Sequence, residues 1–230
     1  MILLKVAYLG WAFHGSQIQP HCRTVEGDLV PALKKLGCLR ERHGFASRTD
    51  AGVSALANVF AYTGQPPDLK RLNHLLRDMV VWAHAEVPDS FRVRGAVSRS
   101  YRYHLVGDYA RARVQALKKF QGTHDFALHT RAHKDTVRTL DSITIHKQPY
   151  GWTLDFTAAG FLWNQIRRLV GTLDPVGRTA PPEPLLLTEV RFDPEPVWVR
   201  QPDALQSFTA LWQTHLTRTQ VLGVLASELE

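Results

Sequence analysis

One order of segments occurs twice along this chain, and it restricts the fold more than any single motif. Residues 2–9 read as a strand. Residues 25–36 read as a helix, because Val25, Leu29, Ala32, Leu33 and Leu36 recur at three- and four-residue spacing. Pro31 lies inside that helix and removes one backbone donor. Strands are expected near 43–47 and 56–63, then a helix around 68–77 and a strand through 79–84. The second half repeats the order. A strand at 100–106 precedes a helix at 110–120, and 142–147 and 152–158 form a hairpin around Pro149-Tyr150-Gly151. A helix at 162–173 and a strand at 185–192 complete it. Two β-α-β-β-α-β units in tandem imply an α+β chain with antiparallel sheets and helices on one face. The join falls near 88–100, giving halves of 1–95 and 96–230. Beyond Pro196 there is a tail, helical in pattern at 204–214, with no functional reading.

At 230 residues the chain can bury a substantial core as one large domain or two small ones. Its 28 Lys+Arg against 21 Asp+Glu give a formal charge of +7, which favours polyanionic partners without distinguishing nucleic acid from a merely basic surface. Cys22 and Cys38 form no Cys-x-x-Cys pair, so a reduced, cytoplasmic protein without disulfides is the simplest account. The apolar first eight residues lack a basic leader and a cleavable small-residue end, and are expected to be a strand and not a signal peptide. No apolar run approaches the ~20 residues needed to cross a bilayer, so no membrane partner is expected. The 11 histidines are scattered without metal-ligand spacing, and no metal site is expected.

The chemistry points to Ala46-Ser47-Arg48-Thr49-Asp50-Ala51-Gly52-Val53-Ser54-Ala55. An aspartate in a glycine-containing connection between strands either caps its own turn or is there for function. Other strings stand out in order along the chain. They are Tyr8-Leu9-Gly10-Trp11-Ala12-Phe13-His14-Gly15-Ser16-Gln17-Ile18-Gln19, Thr24-Val25-Glu26-Gly27, Ser100-Tyr101-Arg102-Tyr103 and Gly122-Thr123-His124-Asp125-Phe126. Phe161-Leu162-Trp163-Asn164-Gln165-Ile166-Arg167-Arg168-Leu169-Val170-Gly171 and Pro184-Leu185-Leu186-Leu187 follow. Together these blocks resemble the TruA family of tRNA pseudouridine synthases, whose loop signature is Gly-Arg-Thr-Asp-Ala-Gly-Val-His. Ser47 and Ser54 depart from the first and last positions of that signature.

The resemblance implies the pseudouridine synthase fold: two tandem RRM- or ferredoxin-like halves joined in one mixed, mostly antiparallel sheet, with the Asp50 loop in a central cleft. It implies isomerisation of uridine to pseudouridine in the anticodon arm of tRNA, at positions 38 to 40, by a homodimer that holds one tRNA with both subunits. The reaction breaks an N-glycosidic bond, turns the base and rejoins it through carbon five. Nothing is oxidised or added, so no cofactor is expected. Asp50 matches the catalytic carboxylate, though the sequence does not say whether it attacks sugar or base. Arg167 matches the motif arginine that pairs with that carboxylate, and Arg48 the loop arginine that holds the extruded nucleotide. Tyr101 matches the active-site tyrosine, and Leu185 the apolar residue packed on the target base. Phe13 and Gln17 fall in the substrate-lining segment.

Several assignments rest on the residues alone. Strand alternation puts Tyr101 and Tyr103 on one face, where both are also compatible with a core position. Arg92 and Arg94 are expected on one face of a strand, with Arg94 as an RNA contact; Lys34, Lys35, Arg40 and Arg42 are the other basic surface. His124-Asp125-Phe126 reads first as a helix-entry cap packed by Phe126, with part of an RNA-contacting loop as the alternative. Two rivals remain. A non-catalytic RNA-binding protein with two RRM-like halves suits the charge and the Tyr-x-Tyr strand, but gains nothing from a carboxylate facing RNA. A metal- or nucleotide-dependent enzyme lacks both a Gly-rich phosphate loop and a ligand cluster.

Overall fold

The computed structural model describes residues 1–132, 134–201, 203–206, 208–210 and 213. One unit comprises Met1–Val97 with Leu187–Gln213, and the other includes Ser98–Leu186.

In the first unit β1 (Ile2–Tyr8) is buried at every position, because it lies between two antiparallel neighbours in the sheet. That explains why its pattern, apolar but for Lys5, carries no two-residue alternation. α1 (Val25–Lys35) starts at Thr24, whose hydroxyl accepts from the Gly27 N–H at 3.1 Å, and it buries Val25, Leu29, Ala32 and Leu33. Pro31 lies on its exposed side, and the helix continues through it. β2 (Leu39–Phe45) pairs with β3 (Ser54–Gly64), which pairs with β1. α2 (Leu69–His74) is shorter than its pattern suggests. Asp68 caps its start, while the Asn73 side chain bonds both the N–H and the carbonyl of Val81 at 2.8 Å, tying the helix end to β4 (Met79–Glu86).

The second unit begins with β5 (Ser98–Val106). The helix expected at 110–120 is split: α3 (Arg111–Gln115) tightens into a 3-10 turn over Ala116–Phe120. An unforeseen two-stranded ribbon follows, β6 (Gly122–Asp125) against β7 (Val137–Leu140). The His124-Asp125-Phe126 string therefore belongs to a strand and its exit, not to the start of an α-helix. Asp125 still acts as a cap, since its Oδ1 accepts from the Ala127 N–H at 3.0 Å and the Thr136 hydroxyl at 2.6 Å. β8 (Ser142–Gln148) and β9 (Gly151–Ala158) form the expected hairpin, with β9 also pairing antiparallel to β5. α4 (Gln165–Gly171) begins three residues later than the span 162–173 suggests, because Asn164 takes a left-handed φ of 61° and Gln165 Oε1 accepts the Leu162 N–H at 2.8 Å.

β10 (Leu185–Arg191) spans the boundary between the units in sequence, and Leu187–Gln213 group with the first unit. β11 (Val199–Arg200) pairs with β4. Lys5 pins the same segment: its ammonium lies 4.6 Å from the Trp198 ring centre, 5.3 Å from that of Trp82 and 3.8 Å from Glu195. The tail is helical at 203–206 and 208–210, and most of the rest of 204–214 lies outside the described residues. The architecture is α+β with mostly antiparallel strands, as expected.

The arginines near the join depart from expectation. Val93–Gly95 is a 3-10 turn that Arg92 precedes, closed by Gly95 N–H to the Arg92 carbonyl at 2.8 Å. Pro88 and Gly95 favour turning over extension here, so Arg92 and Arg94 do not share a strand face. Arg102 forks onto Asp155, its cross-strand partner, at 2.7 and 3.1 Å, and buried Arg99 donates to the Ala159 carbonyl. These two are sheet supports.

β5 also buries a titratable group. Burial, with Arg102 beside it, lowers the His104 titration from the usual 6.5 to about 4. The folded protein thus keeps His104 neutral down to about pH 4, while the unfolded chain takes up its proton near 6.5. Between those values the unfolded state binds more protons, so stability falls as pH drops through that window, by about 3 kcal/mol at the acid end. His104→Gln is expected to flatten that part of the melting-temperature profile; an unaltered slope would assign the acid sensitivity to other groups.

Candidate active site

The 46–54 loop leaves β2 and enters β3 under tight restraint. Thr49 is buried between its neighbours, its hydroxyl 2.8 Å from the Tyr8 hydroxyl and its N–H donating to Ser16 Oγ at 3.0 Å. Asn58 donates through Nδ2 to the Tyr8 hydroxyl at 2.9 Å and to the Ser47 carbonyl at 2.8 Å. The Asp50 carbonyl accepts from the Val53 N–H at 3.2 Å, closing the turn. With Thr49 facing inward, Arg48 is exposed and Asp50 half-buried. The sequence Arg-Thr-Asp thus anchors its middle residue and presents the two outer ones.

A second loop, residues 9–19, locks the first. Ser54 Oγ accepts from the Gly10 N–H at 2.8 Å, and Ser16 N–H donates to the Thr49 carbonyl at 3.1 Å. The serine that replaces the signature's terminal histidine therefore has a defined structural task. Gly10 packs so closely on the Gly52 and Val53 carbonyl groups that an added Cβ would overlap backbone on that side. Gly10→Ala is expected to cost about 3 kcal/mol and to loosen the loop. A thermal midpoint equal to that of the parent would refute the locking role.

Phe13 is packed beneath this arrangement. Its ring meets Tyr8 edge-on at 6.4 Å, and the Arg23 guanidinium lies 4.5 Å from its centre, held in turn by Asp28 and Asp78. Only 3% of Phe13 is exposed, so it supports the loop from within.

A depression opens beside the loop, and Gln17, Arg48 and Arg94 all line it. Three expected substrate contacts from distant parts of the sequence are thereby brought together. Arg42, His43 and Glu26 join them. Glu26 is 2% exposed, accepts from the Ile18 N–H at 3.2 Å and pairs with Arg42 at 3.0 Å. Three guanidinium groups around one buried carboxylate leave a net positive lining suited to phosphate. Glu26 and His43 were not singled out from sequence, although Glu26 lies in the Thr24-Val25-Glu26-Gly27 string.

In the second unit Tyr101 and Tyr103 are both buried on β5, as alternation requires. Tyr101 packs edge-to-face on Phe161, with ring centres 5.3 Å apart at 87°. Tyr103 donates its hydroxyl to the Pro181 carbonyl at 3.2 Å, and burial pushes its phenol well above the usual range. That bond gives Tyr103 a structural role and separates it from Tyr101. Arg167 is oriented by its surroundings on α4. Its Nε donates to the Ala180 carbonyl at 2.8 Å, Nη1 to Asn164 Oδ1 at 3.2 Å, and its own carbonyl accepts the Ala180 N–H at 3.0 Å. Leu185 is buried at the start of β10. Among the described residues no group of three His, Cys, Asp or Glu side chains is placed to hold a metal ion.

The family profile described as tRNA pseudouridine synthase matches residues 116–179. A tRNA pseudouridine synthase A of Methanosarcina barkeri is 34% identical, with 99% of this chain and 98% of that protein aligned. The chain belongs to the tRNA pseudouridine synthase A family. The same-named protein of Thermococcus gammatolerans is 42% identical over 75% of this chain and 69% of its own. A solved Cbf5-Nop10-Gar1 complex aligns at a TM-score of 0.42 and 16% identity, covering 81% of this chain and 48% of that one. Within the tRNA pseudouridine synthase A family, this chain carries its signature aspartate on a loop of the first unit held by buried polar contacts. Its motif tyrosine and arginine stand on β5 and α4 of the second.

Proposed function

We propose that this protein isomerises uridine to pseudouridine in the anticodon arm of tRNA, at positions 38 to 40, with Asp50 as the catalytic carboxylate. The observation that carries this reading is the Arg48-Thr49-Asp50 loop, in which a buried network holds Thr49 and leaves the charged residues on either side to meet substrate. In the reaction the bond from uracil N1 to the ribose C1′ breaks, a bond from C5 to C1′ forms, C5 loses its proton and N1 gains one. Asp50 supplies negative charge at the sugar or base while those bonds exchange. Arg167 offsets the cost of placing that carboxylate away from water. Tyr101 stacks on the extruded base and receives or returns the migrating proton, and Leu185 packs on the base. Arg48, with Gln17 and Arg94, grips the flipped nucleotide's backbone.

The reading includes a homodimer in which the second subunit holds the body of the tRNA, and a reducing cytoplasm in which Cys22 and Cys38 remain thiols. No helix among the described residues is long and apolar enough to cross a membrane.

Tritium at uracil C5 must leave for solvent if the isomerisation occurs. Release from C5-labelled tRNA in the presence of a chelator is expected. Tight tRNA binding without release would favour the non-catalytic RNA-binding alternative, and release abolished by the chelator would favour a metal enzyme.

A further inference from the structure

Just before α4 the chain exposes a large aromatic residue that its neighbours hold in place. Trp163 is 57% exposed, an unfavourable position for an indole. Its backbone is nonetheless fixed twice. The Trp163 carbonyl accepts from the Arg131 N–H at 3.1 Å and from the hydroxyl of buried Thr130 at 3.0 Å, and that hydroxyl in turn accepts from the Ala132 N–H at 2.9 Å. The Arg131 guanidinium lies 5.6 Å from the indole centre. Next along the chain His129 packs edge-on against Phe120 at 4.9 Å, and the Lys119 ammonium lies 5.1 Å from the Phe120 ring centre. Among the described residues neither Arg131 nor Lys119 has a carboxylate within ion-pair distance, so this strip is an aromatic and cationic surface with uncompensated charge.

We propose that Trp163 is a stacking platform for an unpaired base of the RNA substrate other than the uridine that reacts, with Arg131 and Lys119 meeting the phosphates on either side. A rigid indole layered with a guanidinium suits a nucleobase face, and every base offers one, so the contact needs no sequence preference. The positive strip supplies the charge complement that a purely apolar protein partner would not use. Trp163 also stands immediately before the helix that carries Arg167, so a base held there fixes the RNA close to the second unit's share of the chemistry. The proposal rests on RNA being the substrate.

The test compares parent, Trp163→Ala, Trp163→Phe and Arg131→Gln for tRNA binding by filter retention, for tritium release and for sedimentation. Because the indole is mostly exposed, the variants are expected to fold. Trp163→Ala is expected to weaken tRNA binding about ten-fold, within the range found for single base–aromatic stacks, with the loss falling on Kd and KM and not on kcat. Trp163→Phe should recover most of it. Arg131→Gln should weaken binding less and lower the salt slope by about one phosphate's share, ~0.7 to 0.9. Parent-like binding by Trp163→Ala overturns the platform while tritium release by the parent leaves the isomerase reading intact. A smaller sedimenting species for Trp163→Ala overturns it in favour of an interface between copies of the chain. A parent protein that neither binds tRNA nor releases tritium removes both readings.

Discussion

Asp50→Asn is expected to fold as the parent does and to lose isomerisation by about three orders of magnitude or more, the scale on which a group acting directly on reacting atoms fails when its charge is removed. Amide and carboxylate are almost the same size, so the substitution leaves packing alone. Neutral contacts hold the loop as well: the Thr49 hydroxyl on Tyr8, the Asn58 amide on Ser47, and Ser54 on Gly10. The turn bond from the Val53 N–H uses the Asp50 carbonyl, which the variant keeps. Lost turnover with an unchanged thermal midpoint and unchanged tRNA affinity would therefore report lost charge. Near-parental tritium release from a competent tRNA would sink the assignment.

The parts of this fold that were legible in sequence are those governed by local periodicity. β1 and α1 declare themselves because one is a central strand and the other places Val25, Leu29 and Leu33 on one buried side. The β6–β7 ribbon was not legible because all of β6 is polar or glycine and none of it is buried, so no alternation marks it. α4 was overextended because Leu162 and Trp163 continue the apolar pattern, and only the left-handed Asn164 stops the helix. Arg92 and Arg94 misled for a related reason: a two-residue spacing suits a strand face, but a proline and a glycine bracket a turn.

The candidate site divides along the same line. Arg48, Asp50, Tyr101 and Arg167 were found through motifs. The restraint on the loop was not, since it joins Tyr8 to Thr49 and to Asn58 across 41 and 50 residues of sequence. Nor does sequence predict that Gln17, Arg48 and Arg94 line one depression, because that depends on how the 9–19 loop folds back on Thr49. Long-range polar contacts leave no periodic signal, and here they decide which residues meet.

Arg167→Met should separate electrostatic support for the carboxylate from simple RNA binding. Methionine keeps much of the side chain's length and apolar body but removes the guanidinium. The Ala180 carbonyl and the Asn164 amide lose a donor, a stability cost of about 1–3 kcal/mol, so assays belong well below the variant's melting temperature. Turnover at saturating tRNA is expected to fall by about two orders of magnitude or more, while tRNA affinity changes only a few-fold. Arg167→Lys should not restore it, because an ammonium cannot hold Ala180 and Asn164 and still present a planar fork. The double variant Asp50→Asn with Arg167→Met gives the sharper reading. If the arginine acts through the carboxylate, removing it from a protein that already lacks the charge should cost little further activity. Fully multiplicative losses would show that the two residues act independently. Unchanged turnover with weakened tRNA binding would make Arg167 a phosphate contact.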